Sequence, residues 1–144
     1  MKLRAFETRD TAAVIDLANK HALFDAPISE ADLAITRSFP DGFIVAEEGG
    51  QIVGFVLGYL RDVPTEVLEH WRASKGGHVE LLAVDSRYRN GGVGTALMNE
   101  LLRVFKLAGA DFVTLHCPAE AKEAKHVYAK LGFRVRAYEL RKRL

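Results

Sequence analysis

The chain has 144 residues, 49% of them hydrophobic, with 20 Lys and Arg against 19 Asp and Glu. That length predicts a single domain spanning residues 1–144 and able to bury a core, while a net charge of +1 supplies no global field for nucleic acid or a membrane surface. The one cysteine, Cys117, has no partner in the chain, and neither an initial apolar signal segment nor a membrane-length apolar run is seen, so the expectation is a soluble cytoplasmic protein.

In chain order, residues 3–6 predict a short strand and residues 10–21 a helix whose apolar face is Val14, Ile15, Leu17 and Ala18. Ser29 and Asp32 imitate a helix-starting box, with Asp in place of the usual Glu or Gln, ahead of Leu33, Ile35 and Phe39, and Pro40 is the stop. Residues 43–47 and 51–60 are apolar, β-branched runs around Glu48, Gly49 and Gly50, a hairpin signal. Residues 65–74 predict a further short helix bearing Trp71. Residues 78–84 are the next strand, followed by a glycine-rich turn and a helix with the stripe Val93, Leu97, Met98, Leu101, Leu102 and Phe105, ended by Gly109. Residues 111–117 predict a strand and residues 119–131 a helix with Gly132 as its left-handed stop. In the tail, apolar residues shift from odd positions (Phe133, Val135, Ala137) to even ones (Tyr138, Leu140, Leu144), so a terminal strand needs a bulge or tight bend near Ala137.

The turn carries the chemistry. Arg89, Asn90, Gly91, Gly92, Val93, Gly94 and Thr95 join a strand to a helix. Three glycines let the backbone take positive φ and approach a ligand closely, and the first amides of the helix have no internal partner. With the positive end of the helix dipole behind them, those amides suit a pyrophosphate-sized anion. The nucleoside triphosphate loop needs a Lys after its last glycine, where Thr95 stands, and the dinucleotide fingerprint wants Gly or Ala where Leu97 stands.

What remains, Arg89, two residues, Gly92, one residue, Gly94, after Leu82, Ala83 and Val84, resembles the acetyl-coenzyme A signature of the GNAT superfamily of N-acetyltransferases. Val127, Tyr128, Ala129, Lys130, Leu131, Gly132, Phe133 is similar to the ending of that family's last helix. The resemblance is good over residues 78–133 and rests on element order before that. It implies an α/β fold with a mixed sheet of about six or seven strands, splayed between the two central ones and flanked by about four helices. It implies acetyl-coenzyme A as cosubstrate, no metal, and direct acetyl transfer to a primary amine of a small molecule or protein. The family usually ends in two long strands; this shorter tail leaves room for a merged strand, or for one exchanged with a second subunit in a homodimer.

An alkyl ammonium loses its proton only near pH ~10, so a base is needed. Glu80 is the favoured base, with His78, two residues away on the same strand face, as its helper or substitute. Either also reads as an ordinary solvent-facing strand residue. The resemblance assigns the backbone amide of Leu82 to the developing oxyanion, main-chain groups of Leu82, Ala83 and Val84 to the pantetheine arm, and the departing thiolate to Tyr128, whose alternative reading is a core aromatic. Where the family often has an Asn seven residues before the Tyr, this chain has Ala121. His21, His70, His116 and His126 lack the spacing of zinc ligands, and Cys117 has no adjacent base to activate it. Phe24, Asp25, Glu30, Asp62, Glu66, Glu69 and Trp71 fall in the segments that would hold the acceptor, and their acidic members suit a cation. The alternative to an enzyme is a module that binds acetyl-coenzyme A without turning it over.

Overall fold

The apolar runs flanking Gly49 and Gly50 form two strands of a five-stranded sheet. In the computed structural model, which describes residues 1–22 and 24–144, β1 (Lys2–Ala5), β2 (Phe43–Glu48), β3 (Gln51–Arg61), β4 (Gly76–Val84) and β5 (Phe112–Leu115) lie side by side in that order. The first three pairings are antiparallel, while β4 and β5 pair in parallel. Gly49 and Gly50 close the β2–β3 hairpin at φ +56° and +79°, backbone that a side chain would resist.

Side-chain alternation along β2 explains the two layers that cover the sheet. Phe43 and Val45 face α1 (Thr11–His21), whose Val14, Leu17 and Ala18 complete one core with Phe55 and Leu57. Ile44 and Ala46 face α4 (Val93–Leu107), whose Leu97, Met98, Leu101 and Phe105 complete the other with Val53 and Val56. Because both faces are covered, β2 and β3 read as nearly continuous apolar runs. The parallel β4–β5 pair requires a crossover, and α4 supplies it. The elements α2 (Glu30–Leu33), α3 (Thr65–Trp71) and α5 (Lys122–Lys130) complete the chain. The Asp32 carboxylate accepts the Ser29 N–H at 2.8 Å, so Asp does here what Glu or Gln does elsewhere; the helix it starts lasts one turn before tightening into 3-10 turns over Ala34–Ser38 and Pro40–Gly42.

Two features depart from the sequence reading. The sheet has five strands rather than six or seven, because residues 133–144 join no ladder. Within this segment Val135, Tyr138 and Leu140 are 61%, 83% and 91% exposed. No strand forms around Ala137 to carry the bulge expected there, and an unpredicted bulge lies within β4. Leu57 pairs with Leu81 but Gly58 pairs with Val79, leaving Glu80 as the extra residue. Its consequence is a change of face: Val79 packs with α4, whereas Leu81 and Ala83 pack with α1.

Gly58 sits opposite this bulge, where an added Cβ would lie 2.7 Å from the Phe105 ring and 2.8 Å from the carbonyl oxygen of His78. Gly58→Ala is expected to lower stability by about 2 kcal/mol through overpacking, read as a lower urea midpoint at unchanged slope; an unshifted midpoint would show that the backbone yields freely there.

Candidate active site

The glycine turn is held open by its own backbone. Asn90 and Gly92 take φ of +64° and +82°, and Gly92 is the N-cap of α4, with no side-chain cap bond. The first turn closes with Ala96 N–H donating to Gly92 O at 2.9 Å. Among the described residues, the amides of Asn90, Gly91, Gly92, Val93, Gly94 and Thr95 find no acceptor within the protein. They are the unpaired donors of a helix start, able to hold an anion.

The turn is anchored from below. The buried Asp85 carboxylate accepts from Arg87 Nη2 at 2.7 Å and from the Arg87 amide at 2.9 Å, and the guanidinium holds its carboxyl well below the usual carboxylate range. The Ser86 amide donates to His21 Nδ1 at 3.2 Å, and the Arg89 guanidinium donates to the His21 carbonyl oxygen. The Arg89 side chain therefore ties the turn to the end of α1.

Beside the turn, β4 and β5 part. Their ladder runs from Gly76–Phe112 to Val79–Leu115 and stops. The Asp85 amide donates to Val53 O across β3 at 2.8 Å. Because successive residues of a strand turn their N–H and C=O groups to opposite edges, Leu82 and Val84 present theirs to the gap. Ala83 turns its groups towards Phe55 of β3, so two of the three residues expected along this segment offer main-chain donors and acceptors there.

At the mouth of the gap the structure brings His78 and Glu80 together, His78 Nε2 lying 3.6 Å from Glu80 Oε2. It also gathers four residues that the sequence reading did not assign. The Tyr59 ring lies 5.4 Å from that of His78, and the His116 ring 5.3 Å from it, edge-on. Thr114 Oγ1 lies 2.8 Å from His78 Nδ1 and accepts from Arg61 Nη1 at 3.2 Å. Arg61 can only donate, and the Thr114 hydroxyl, with one proton and two lone pairs, either donates to His78 Nδ1 or accepts from it; Nε2 is the ring nitrogen on the side of Glu80. Only the β3–β4–β5 register places these residues on one face, and register is not written in any local motif.

His78 is 8% exposed. Burial first, then the His116 ring and the Arg61 charge, push its pKa down to about 4, which keeps it neutral at physiological pH. Tyr128 stands on α5, its ring 5.9 Å from that of Phe133. Burial, with a smaller contribution from Cys117, pushes its phenol up to about 12. The Cys117 thiol is also raised by burial, which disfavours its nucleophilic form. Ala121, where the resemblance expects Asn, is the N-cap of α5 and gives it no side-chain cap. No group of three or more His, Cys, Asp or Glu able to hold a metal is found among the described residues. A hollow of about 590 Å3 along α1, lined by Thr8, Ala12, Asp16, Asn19 and Glu30, shares no residue with this face.

A sequence profile of the acetyltransferase (GNAT) family matches residues 11–133. An uncharacterised N-acetyltransferase of Methanocaldococcus jannaschii is 29% identical over 137 residues, covering 94% of this chain and 80% of that protein. An L-2,4-diaminobutyric acid acetyltransferase of Nocardia farcinica is 36% identical, covering 69% and 47% respectively. An N-alpha-acetyltransferase of Sulfurisphaera tokodaii is 33% identical, covering 68% and 59%; the chain thus spans less than two thirds of the latter two. Among solved structures, Ard1 from Thermoplasma volcanium superposes with a TM-score of 0.80 at 28% identity, over 94% of this chain and 84% of that one.

The depressed His78 pKa has a stability consequence whose sign is fixed. Between about pH 4 and the unfolded value of about 6.5, the unfolded chain binds the extra proton, so this contribution is complete above that window and is lost as pH falls through it. The loss between pH 7 and pH 5 is on the order of 2 kcal/mol. Urea midpoints at the two pH values should therefore differ less in His78→Asn than in the wild type; equal differences would assign the pH dependence to other groups.

Proposed function

The chain belongs to the acetyltransferase (GNAT) family, and from that premise we propose that it transfers the acetyl group of acetyl-coenzyme A directly to a primary amine. Family members use acetyl-coenzyme A, which supplies an acyl group on a thiol leaving group. The observation that carries the reading is two sets of free main-chain groups on either side of the internally paired residues 85–89: an anion cradle at residues 90–95, and the edge groups of Val84 and Leu82, ending beside Glu80. The cradle would take the diphosphate, and Val84 and Leu82 would pair with the extended amide arm as an added strand would.

Glu80 is the proposed base: its carboxylate takes a proton from the acceptor ammonium, leaving a nitrogen lone pair to attack the thioester carbon. His78, held neutral and with Nε2 on the side of Glu80, lies beside that carboxylate without placing a positive charge there. The Leu82 amide is aimed at the oxygen that gains negative charge. As the C–S bond breaks, the attacking nitrogen releases its second proton to solvent and Tyr128 donates a hydrogen bond to the sulfur. A phenol near pKa 12 is a weaker acid than a thiol at about 8.5, so Tyr128 stabilises the thiolate rather than protonating it outright. Direct transfer is favoured over a covalent enzyme intermediate because the Cys117 thiol is raised, not activated. Relatives named for acting on an amino acid and on α-amines support a primary amine as acceptor.

Thiol release from acetyl-coenzyme A, measured against a panel of primary amines, tests this. Glu80→Gln is expected to lower kcat/KM roughly 100-fold and Tyr128→Phe roughly tenfold, with acetyl-coenzyme A affinity by calorimetry little changed in either. Gly92→Val, forced to φ +82°, is expected to weaken that affinity at least about tenfold. Tight cofactor binding with no turnover of any amine would favour a non-catalytic binding module, and no heat of association would refute both.

A further inference from the structure

The acceptor face does not end at Glu80. It runs along the paired part of β4 and β5 to a cluster built on Trp71, whose indole packs edge-on against Phe112 at 5.4 Å. Phe112 in turn covers Gly76, where an added Cβ would fall 2.2 Å from the Phe112 ring. Two guanidinium groups lie against this one indole: Arg61 of β3, its Cζ 5.8 Å from the ring centroid, and Arg136 of the tail, at 5.1 Å.

Resting on the acetyltransferase reading, we infer that the acceptor is an amine that also carries an anionic group, a carboxylate or a phosphate, held by Arg61 and Arg136 beside Trp71 while its amine reaches Glu80. Like charges gathered on one ring repel, and a cation–π contact at an exposed site returns only about 0.5–1 kcal/mol. Four of the twelve arginines, Arg4, Arg9, Arg87 and Arg103, meet a carboxylate; what sets Arg61 and Arg136 apart from the others is that they share one indole. Among the described residues neither Arg61 nor Arg136 has a carboxylate within 4 Å. Asp62, Glu66 and Glu69, which the sequence suggested would favour a cation, are exposed and neutralise neither group. An oxyanion brought by a ligand supplies the missing partner in the forked geometry that guanidinium groups prefer.

The position gives this pair a role in orienting the acceptor. Arg61 Nη1 reaches Thr114 Oγ1, which reaches His78, which faces Glu80. One face therefore carries a negative end at the parted strands and a positive end where they pair. A molecule with an ammonium at one end and an oxyanion several bonds away has one favourable orientation on it, and that orientation delivers the amine to Glu80.

Trp71 is the only tryptophan in the chain, so its emission reports binding without reference to turnover. Three compounds with six-carbon chains are compared: 6-aminohexanoate, 6-aminohexyl phosphate and hexylamine. The full-length protein is titrated with each while Trp71 emission is followed, and thiol release from acetyl-coenzyme A is measured in parallel. At least one of the two anionic amines is expected to give a saturable change with a midpoint roughly tenfold or more below that of hexylamine, and to be the better substrate by kcat/KM. Which anionic amine responds distinguishes carboxylate from phosphate. In Arg61→Gln and in Arg136→Gln the ratio between anionic and neutral amine should collapse. Indistinguishable titrations for all three compounds, or a ratio that survives both substitutions, overturns the inference. Turnover without discrimination leaves the acetyltransferase standing and removes the anion site; discrimination in Trp71 emission without any thiol release does the reverse.

Discussion

The functional architecture rests on a ladder that stops. β4 and β5 pair from Gly76–Phe112 to Val79–Leu115 and no further, although β4 continues to Val84. Backbone donors and acceptors inside a protein must be satisfied by something, and past Val79 the outer edge of β4 has no neighbouring strand. A ligand with its own amides meets that requirement as a strand would, and the turn after β4 adds donors for an anion at the far end. The free groups of this edge and turn are main chain, so their arrangement depends on backbone path more than on side-chain identity.

The bulge at Glu80 divides β4 into two stretches of opposite parity. Before it, His78 lies on the face shared with Tyr59 and Thr114 while Val79 packs with α4; after it, Leu81 and Ala83 take the α1 side. Without the extra residue one stretch or the other would turn its apolar side chains away from its core. The bulge thus lets a polar face and two apolar layers coexist on a single strand. Gly58 on the facing strand is part of the same arrangement, because its missing side chain makes room for Phe105 and the His78 carbonyl.

The sequence displayed what is local. Turn glycines, helix stripes and the Ser29–Asp32 box are short-range patterns, and each formed near its expected place. The bulge was hidden because Leu81, Leu82, Ala83 and Val84 are all apolar, so no alternation was visible to break. The polar partners of His78 were hidden for a different reason: Tyr59 and Arg61 come from β3, Thr114 from β5 and His116 from just after it, and only register brings them together. The tail's apolar residues look strand-like in pieces, yet within one chain they join no ladder. Arg89 was legible as a member of the turn signature, but its hydrogen bond to the carbonyl of His21 depends on where α1 ends in space.

That bond, across 68 residues of chain, joins a surface turn to the last residue of a helix whose Val14, Leu17 and Ala18 are fully or almost fully buried. Surface loops ordinarily open at little cost, whereas packed helices open only with the units they belong to. Fastened to α1 through Arg89 and through Ser86 with His21, the turn belongs to the same cooperative unit, and its donors keep their arrangement for as long as that helix stays folded.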